Sequence, residues 1–91
     1  MTVNTFELKY PFEFKGTNYT ELKARRPKVR DLRSFIKDVE RDSVNAMEKV
    51  IGNLCEVDDK IIAELDLEDF NPIKQWFEDF LKPMLGGSTE S

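Results

Sequence analysis

From Phe6 to Lys15 the sequence alternates without a break. Phe6, Leu8, Tyr10, Phe12 and Phe14 share one parity, and Glu7, Lys9, Pro11, Glu13 and Lys15 the other. An extended chain sends successive side chains to opposite faces, whereas a helix would scatter these five apolar residues around its axis. The run therefore has to be a strand with one apolar face that other parts of the chain must cover. Pro11 has no N–H for a ladder, which places it on an edge strand or where two short strands meet at a bend. Lys15-Gly16-Thr17-Asn18 supplies a turn, with Gly16 free to take positive φ. The return strand covers Tyr19–Arg26, with Leu22 and Ala24 directed inward. An isolated two-stranded hairpin is marginal at best in water. Phe6, Phe12 and Phe14 have the spacing of a base-stacking surface, but the need for cover favours them as the floor of a core.

Arg25-Arg26-Pro27 ends the hairpin, because proline fixes φ and biases the residue before it toward extended backbone. A helix is expected over about 28–39, with Val29, Leu32, Phe35, Ile36 and Val39 on its apolar face and Asp31 in its first turn. Asp42 or Ser43 caps a second helix over about 43–51, carrying Val44, Met47, Val50 and Ile51 inward. Gly52 is expected to close it from the C′ position, since glycine inside a helix costs about 1 kcal/mol relative to alanine. A third helix over about 57–64 presents Ile61, Ile62 and, just beyond it, Leu65, with Asp58 and Asp59 at its start. Asp66–Phe70 reads as a linking turn. Asn71-Pro72 then starts a last helix over about 72–82, with Ile73, Trp76, Phe77, Phe80 and Leu81. The fold class is α+β: one domain over 1–82, followed by a flexible tail over 83–91.

Composition narrows the function. There is no histidine, which removes the usual general base and the commonest transition-metal ligand. Cys55 is the single cysteine, so no intramolecular disulfide can form, and without an imidazole to activate it a buried packing role is expected. The carboxylate pairs Asp58-Asp59 and Glu68-Asp69 lack the spacing and glycine of a calcium loop, and helix capping accounts for them. No catalytic residue, cofactor or metal ligand is assigned, and no signal peptide or membrane span is seen. A soluble, cytoplasmic protein follows. Charge is divided unevenly: residues 1–33 hold Lys+Arg 8 against Asp+Glu 4, and residues 34–91 hold 6 against 14. The net charges of +4 and −8 recover the total of −4. A basic end on an acidic chain suits contact with a complementary partner or a second copy better than phosphate binding.

Three stretches together resemble a known family. They are Leu8–Gly16 (LKYPFEFKG), Tyr19–Leu22 (YTEL) and Arg25–Leu32 (RRPKVRDL). The chain is similar to the small tail assembly chaperones of Mu-like and related contractile-tailed bacteriophages and prophages. The family pattern is a tyrosine-proline-apolar strand, a glycine turn, a glutamate-leucine pair, and Arg-Arg-Pro leading to an aspartate that opens a helix. Gly52, the run Ile61–Phe70 and the Phe77–Leu81 end fit the family's second half, so the resemblance spans about residues 5–82. Two positions depart from it. Lys28 stands where members often have a small hydroxyl residue, which leaves the helix start to Asp31 and the preceding proline. Ala24 is smaller than the aliphatic residue expected there.

The resemblance implies a non-enzymatic assembly factor that works in the host bacterial cytoplasm and is absent from the mature virion. It implies binding of the tape measure protein, which is kept soluble during tail morphogenesis, with the tail tube protein as a second possible contact. In many such phages a translational frameshift appends a further domain, and Gly86-Gly87 could lie near such a site. The apolar arc of the last helix is broader than one small neighbour can bury. Trp76, Phe80, Ile73 and Phe77 are therefore the candidate partner-binding residues, shared between surface and core, with the aromatic hairpin edge as a second possible contribution. Arg25, Arg26, Arg30 and Arg33 form a charged joint suited to self-association as a homo-oligomer. The alternative is a small nucleic-acid-binding or regulatory module using the basic segment 23–33. On the preferred reading neither nucleic acid nor membrane is a partner.

Overall fold

The alternating run forms strand β1, Val3–Phe14, which turns back into β2, Thr17–Arg25, in a computed structural model that describes residues 3–83. Lys15 and Gly16 both have positive φ, 50° and 84°, the signature of a two-residue type I′ turn whose twist suits a hairpin. The two strands pair antiparallel in two frames. Val3↔Arg25 through Glu7↔Glu21 form one, and Phe12↔Tyr19 through Phe14↔Thr17 the other. Between them, Leu8-Lys9-Tyr10-Pro11 stands opposite Thr20 alone. Pro11 thus lies where the ladder is interrupted and its missing donor is not needed. The bulge also breaks the alternation, so Tyr10 is 49% exposed rather than part of the covered face.

Four helices follow: α1 Val29–Val39, α2 Ser43–Cys55, α3 Asp59–Ala63 and α4 Leu67–Leu81. A hairpin followed by helices makes the fold α+β. α2 is the central element and meets α1, α3, α4 and β2. Phe77, Ile51, Leu54, Ile62 and Ile73 are the largest fully buried side chains, and Leu22 and Ala24 join them from the hairpin. Each large apolar residue buried in this way contributes about 1.5–3 kcal/mol. Phe35 of α1 meets Phe77 of α4 edge to face, with ring centroids 5.3 Å apart, which ties the first helix to the last.

Helix boundaries depart from the periodicity in instructive ways. α2 runs four residues beyond 51, and Gly52 lies inside it rather than at its end. The left-handed residue after the helix is Glu56, at φ 59° and ψ 41°. The Val57 N–H bonds the Gly52 carbonyl at 2.9 Å and the Glu56 N–H bonds that of Asn53 at 3.2 Å, a Schellman closure. Gly52 is needed for close approach instead. A Cβ there would lie 3.0 Å from the Val57 carbonyl oxygen and 3.3 Å from the Asp59 Cα. α3 is shorter than expected, and Asp58 caps it by accepting the Lys60 N–H at 3.0 Å.

α4 starts at Leu67, so Asp66–Phe70 is not a linking turn and Pro72 sits within the helix rather than at its first position. Asp66 caps the new start by accepting the Glu68 N–H at 2.9 Å. Proline at 72 removes the donor that would meet the Glu68 carbonyl, and its ring crowds that same carbonyl one turn from the helix start. Three apolar residues assigned inward are exposed: Val29 at 71%, Ile36 at 48% and Val44 at 66%. The core around Phe35 and Met47 is filled without them. The tail from Met84 onward, including Gly86-Gly87, lies outside the described residues.

Candidate functional site

Asp69 joins the two halves of the molecule. It stands one helical turn before Ile73 and two before Phe77, on the buried stripe of α4, and is only 7% exposed. Its carboxylate accepts the Lys9 N–H at 2.8 Å on Oδ1 and the Tyr10 N–H at 2.9 Å on Oδ2. These are amides of the β1 bulge, which the interrupted ladder leaves without strand partners. One side chain thus satisfies two donors and fixes the hairpin on α4. Sequence reasoning gave Asp69 to helix capping. A carboxylate in step with Ile73 and Phe77 was the signal that it faces inward.

Beyond Asp69 on the same helix lies a half-buried aromatic strip. Phe6 of β1 meets Trp76 edge to face with centroids 5.6 Å apart, and Trp76 meets Phe80 in the same manner at 5.2 Å. The Arg26 guanidinium sits over the Phe80 ring, 5.1 Å from its centroid, within cation–π range. Trp76 and Phe80 keep part of their surface in water. Ile73 and Phe77 are fully buried and offer a partner nothing, because their stripe faces α1 and α2. The four residues named from the sequence therefore divide: Trp76 and Phe80 line the strip, and Ile73 and Phe77 hold up the core beneath it. Phe6 and Arg26 complete the strip from the hairpin side. Neither was linked to Trp76 or Phe80 by spacing, since some seventy residues separate Phe6 from Trp76 in the chain.

The four arginines of the joint divide as well. Arg25 forms a two-pronged bond to Asp31, from Nη1 to Oδ2 at 2.9 Å and from Nη2 to Oδ1 at 3.1 Å. Asp31 also accepts the Lys28 N–H at 2.7 Å, the half of a capping box that a lysine at the cap position permits. Burial pushes the Asp31 carboxyl up. The Arg25 hydrogen bond, the Lys28 amide and the charges of Arg25 and Arg30 outweigh that and hold it below the ordinary aspartate value. The Asp31 hydrogen bond likewise raises Arg25, against its burial, with the charges of Asp31 and Glu56 in support. Arg30 and Arg33 are exposed and enter no ion pair among the described residues. An open polar cleft of about 410 Å³ lies beside this joint, lined by Arg25, Arg30, Asp31, Ser34, Asn53 and Glu56.

Cys55 is buried, and burial pushes its thiol up to about 12, so it stays protonated and inert at neutral pH. Among the described residues no cluster of His, Cys, Asp and Glu has the geometry to hold a metal ion, and no helix is long and apolar enough to cross a membrane.

The fold and the strip define a small α+β protein whose half-buried aromatic surface is shared between a stapled hairpin and its last helix. Residues 5–82 match the sequence model of a family described as phage tail assembly chaperone proteins, E, or 41 or 14, and the chain belongs to that family. No curated protein and no solved structure matches it. As a tail assembly chaperone, its partners are phage tail proteins.

Proposed function

We propose that this chaperone acts on the tape measure protein, binding it in the host cytoplasm and keeping it soluble while the tail is built. It performs no chemistry of its own and leaves before the virion is complete. The observation that carries this reading is the strip Phe6–Trp76–Phe80 with Arg26 stacked on its end. A tape measure is a long, largely helical protein with apolar seams. Such a seam requires a ledge of large, partly exposed apolar side chains with a polar rim. Aromatic residues and arginine are also the side chains that dominate binding energy at protein surfaces.

The test is co-expression with the tape measure protein. Wild type is expected to keep it in the soluble fraction, and a Trp76→Ala/Phe80→Ala double variant to lose it while its own helical circular dichroism persists. A folded double variant that performs as well as wild type would show that the strip is not the binding surface. Failure of wild type to hold the tape measure in solution would refute the choice of partner.

A further inference from the structure

One guanidinium on the strip is held in place with its hydrogen-bonding capacity unused. The backbone of Arg26 is fixed from two sides. The Arg25 Nη1, while bonded to Asp31, also donates to the Arg26 carbonyl at 3.2 Å, and Pro27 locks φ of the next residue. The Arg26 side chain lies over the Phe80 ring, 5.1 Å from its centroid, and Phe80 is braced by Trp76 as Trp76 is by Phe6. The ring attracts the cation but offers no lone pair, so the five N–H donors of the guanidinium remain for another acceptor. Arg26 is exposed, and among the described residues its side chain forms no hydrogen bond and no ion pair. The two carboxylates that precede Phe80 on α4 are answered within that helix. Lys74 meets Glu78 at 3.5 Å, and Lys82 and the Gln75 amide each meet Asp79 at 3.2 Å.

An aromatic ledge that ends in a cation without a counter-ion fits one kind of partner surface, large apolar side chains beside a carboxylate. The scale agrees with a helix. Side chains three or four positions apart on a helix stand about 5–6 Å from each other, and the Arg26 guanidinium stands 5.1 Å from the centre of the Phe80 ring. We infer that Arg26 is a specificity-determining residue of the strip. It receives an Asp or Glu that lies one helical turn from the apolar residue seated on Trp76 and Phe80. It thereby selects which segments of the partner are bound and in which direction they run. The inference rests on the strip as the tape measure surface and adds the charge that its ligand must carry. A basic segment with the same apolar spacing is turned away, because its cation would be brought against Arg26. Lysine at 26 is a poor substitute, since an ammonium cannot offer the paired donors that a carboxylate takes from a guanidinium.

Overlapping synthetic segments of the tape measure protein, fixed on a solid support and probed with the full chain, test it. Wild type is expected to retain segments in which an Asp or Glu lies three or four positions from a large apolar residue. Replacing that acid by its amide should weaken binding about tenfold or more, and this comparison needs no change in the chaperone itself. Arg26→Glu is expected to release those segments and to retain others with Lys or Arg at the same place, a reversal that lost packing on Phe80 cannot produce. Arg26→Lys should keep the preference for acids with weaker binding. An Arg26→Glu chain that retains the same segments as wild type overturns the inference and leaves the strip as the binding surface. So does a wild-type preference that follows apolar content alone. A wild type that retains no segment above the Trp76→Ala/Phe80→Ala variant overturns the strip reading and this inference with it, the result expected if a second copy of the chain covers the strip.

Discussion

Two aspartates hold positions that an aspartate rarely occupies, because each is buried and each answers several donors. Asp31 joins the end of β2 to the start of α1, and Asp69 joins the β1 bulge to α4. Replacing Asp69 by alanine leaves the Lys9 and Tyr10 amides without acceptors, at about 1–3 kcal/mol for each buried group left unpaired. An asparagine side chain keeps one acceptor oxygen, so Asp69→Asn is expected to lose about half as much in a urea titration. Equal losses would mean that the second amide finds water. Asp31 makes a further prediction in pH. Its folded carboxyl lies below the ordinary value of about 3.9, so its stabilisation is complete above that pH and is lost as pH falls through the folded value. Asp31→Asn is expected to cost about 2 kcal/mol at neutral pH. Its stability should then fall less steeply than that of wild type as the solution is acidified.

At the level of elements, the sequence was legible wherever a local pattern and the tertiary packing agreed. Alternation identified the hairpin, the Lys15-Gly16 turn sits where glycine requires it, and Leu22, Ala24, Ile61 and Ile62 are buried as their spacing implies. It failed where a distant neighbour decides. Asn71-Pro72 is a strong local start signal, yet Asp66 caps the helix five residues earlier and so brings Asp69 onto the stripe that reaches the hairpin. Gly52 resembles a terminator, but the chain entering α3 passes so close that a side chain has no room. This reading predicts the sign of a substitution. Gly52→Ala would gain about 1 kcal/mol of helix propensity if position 52 were open. Against backbone at 3.0 Å it should instead lower the melting temperature. Glu56→Gly should raise it, since the left-handed backbone that Glu56 adopts disfavours an L side chain by about 1–2 kcal/mol. A gain from Gly52→Ala would indicate that the entry to α3 can move aside.

At the scale of the whole molecule, the aromatic strip belongs to neither half alone, since Phe6 and Arg26 come from the hairpin side and Trp76 and Phe80 from α4. The candidate partner residues on the last helix were visible as an over-wide apolar arc. The aromatic hairpin edge was expected beside them, but the particular companions Phe6 and Arg26 were not, because a contact across most of the chain leaves no periodicity to read. A site assembled in this way exists only while both halves are folded together, and the packing provides for that. Leu22 and Ala24 of β2 lie in one cluster with Ile51, Leu54 and Phe77, and the hairpin has no second layer of its own. Leu22→Ala, placed at the meeting of the two halves, should therefore cost about 2–5 kcal/mol. Its effect should reach Trp76 as well as the strands. In a thermal melt, tryptophan fluorescence from α4 and amide signals from β2 are expected to change at one shared midpoint, lowered equally for both. Hairpin amides that melt first while Trp76 keeps its native signal would show that the strip's two sides separate before the fold is lost, and that its geometry is not fixed by the common core.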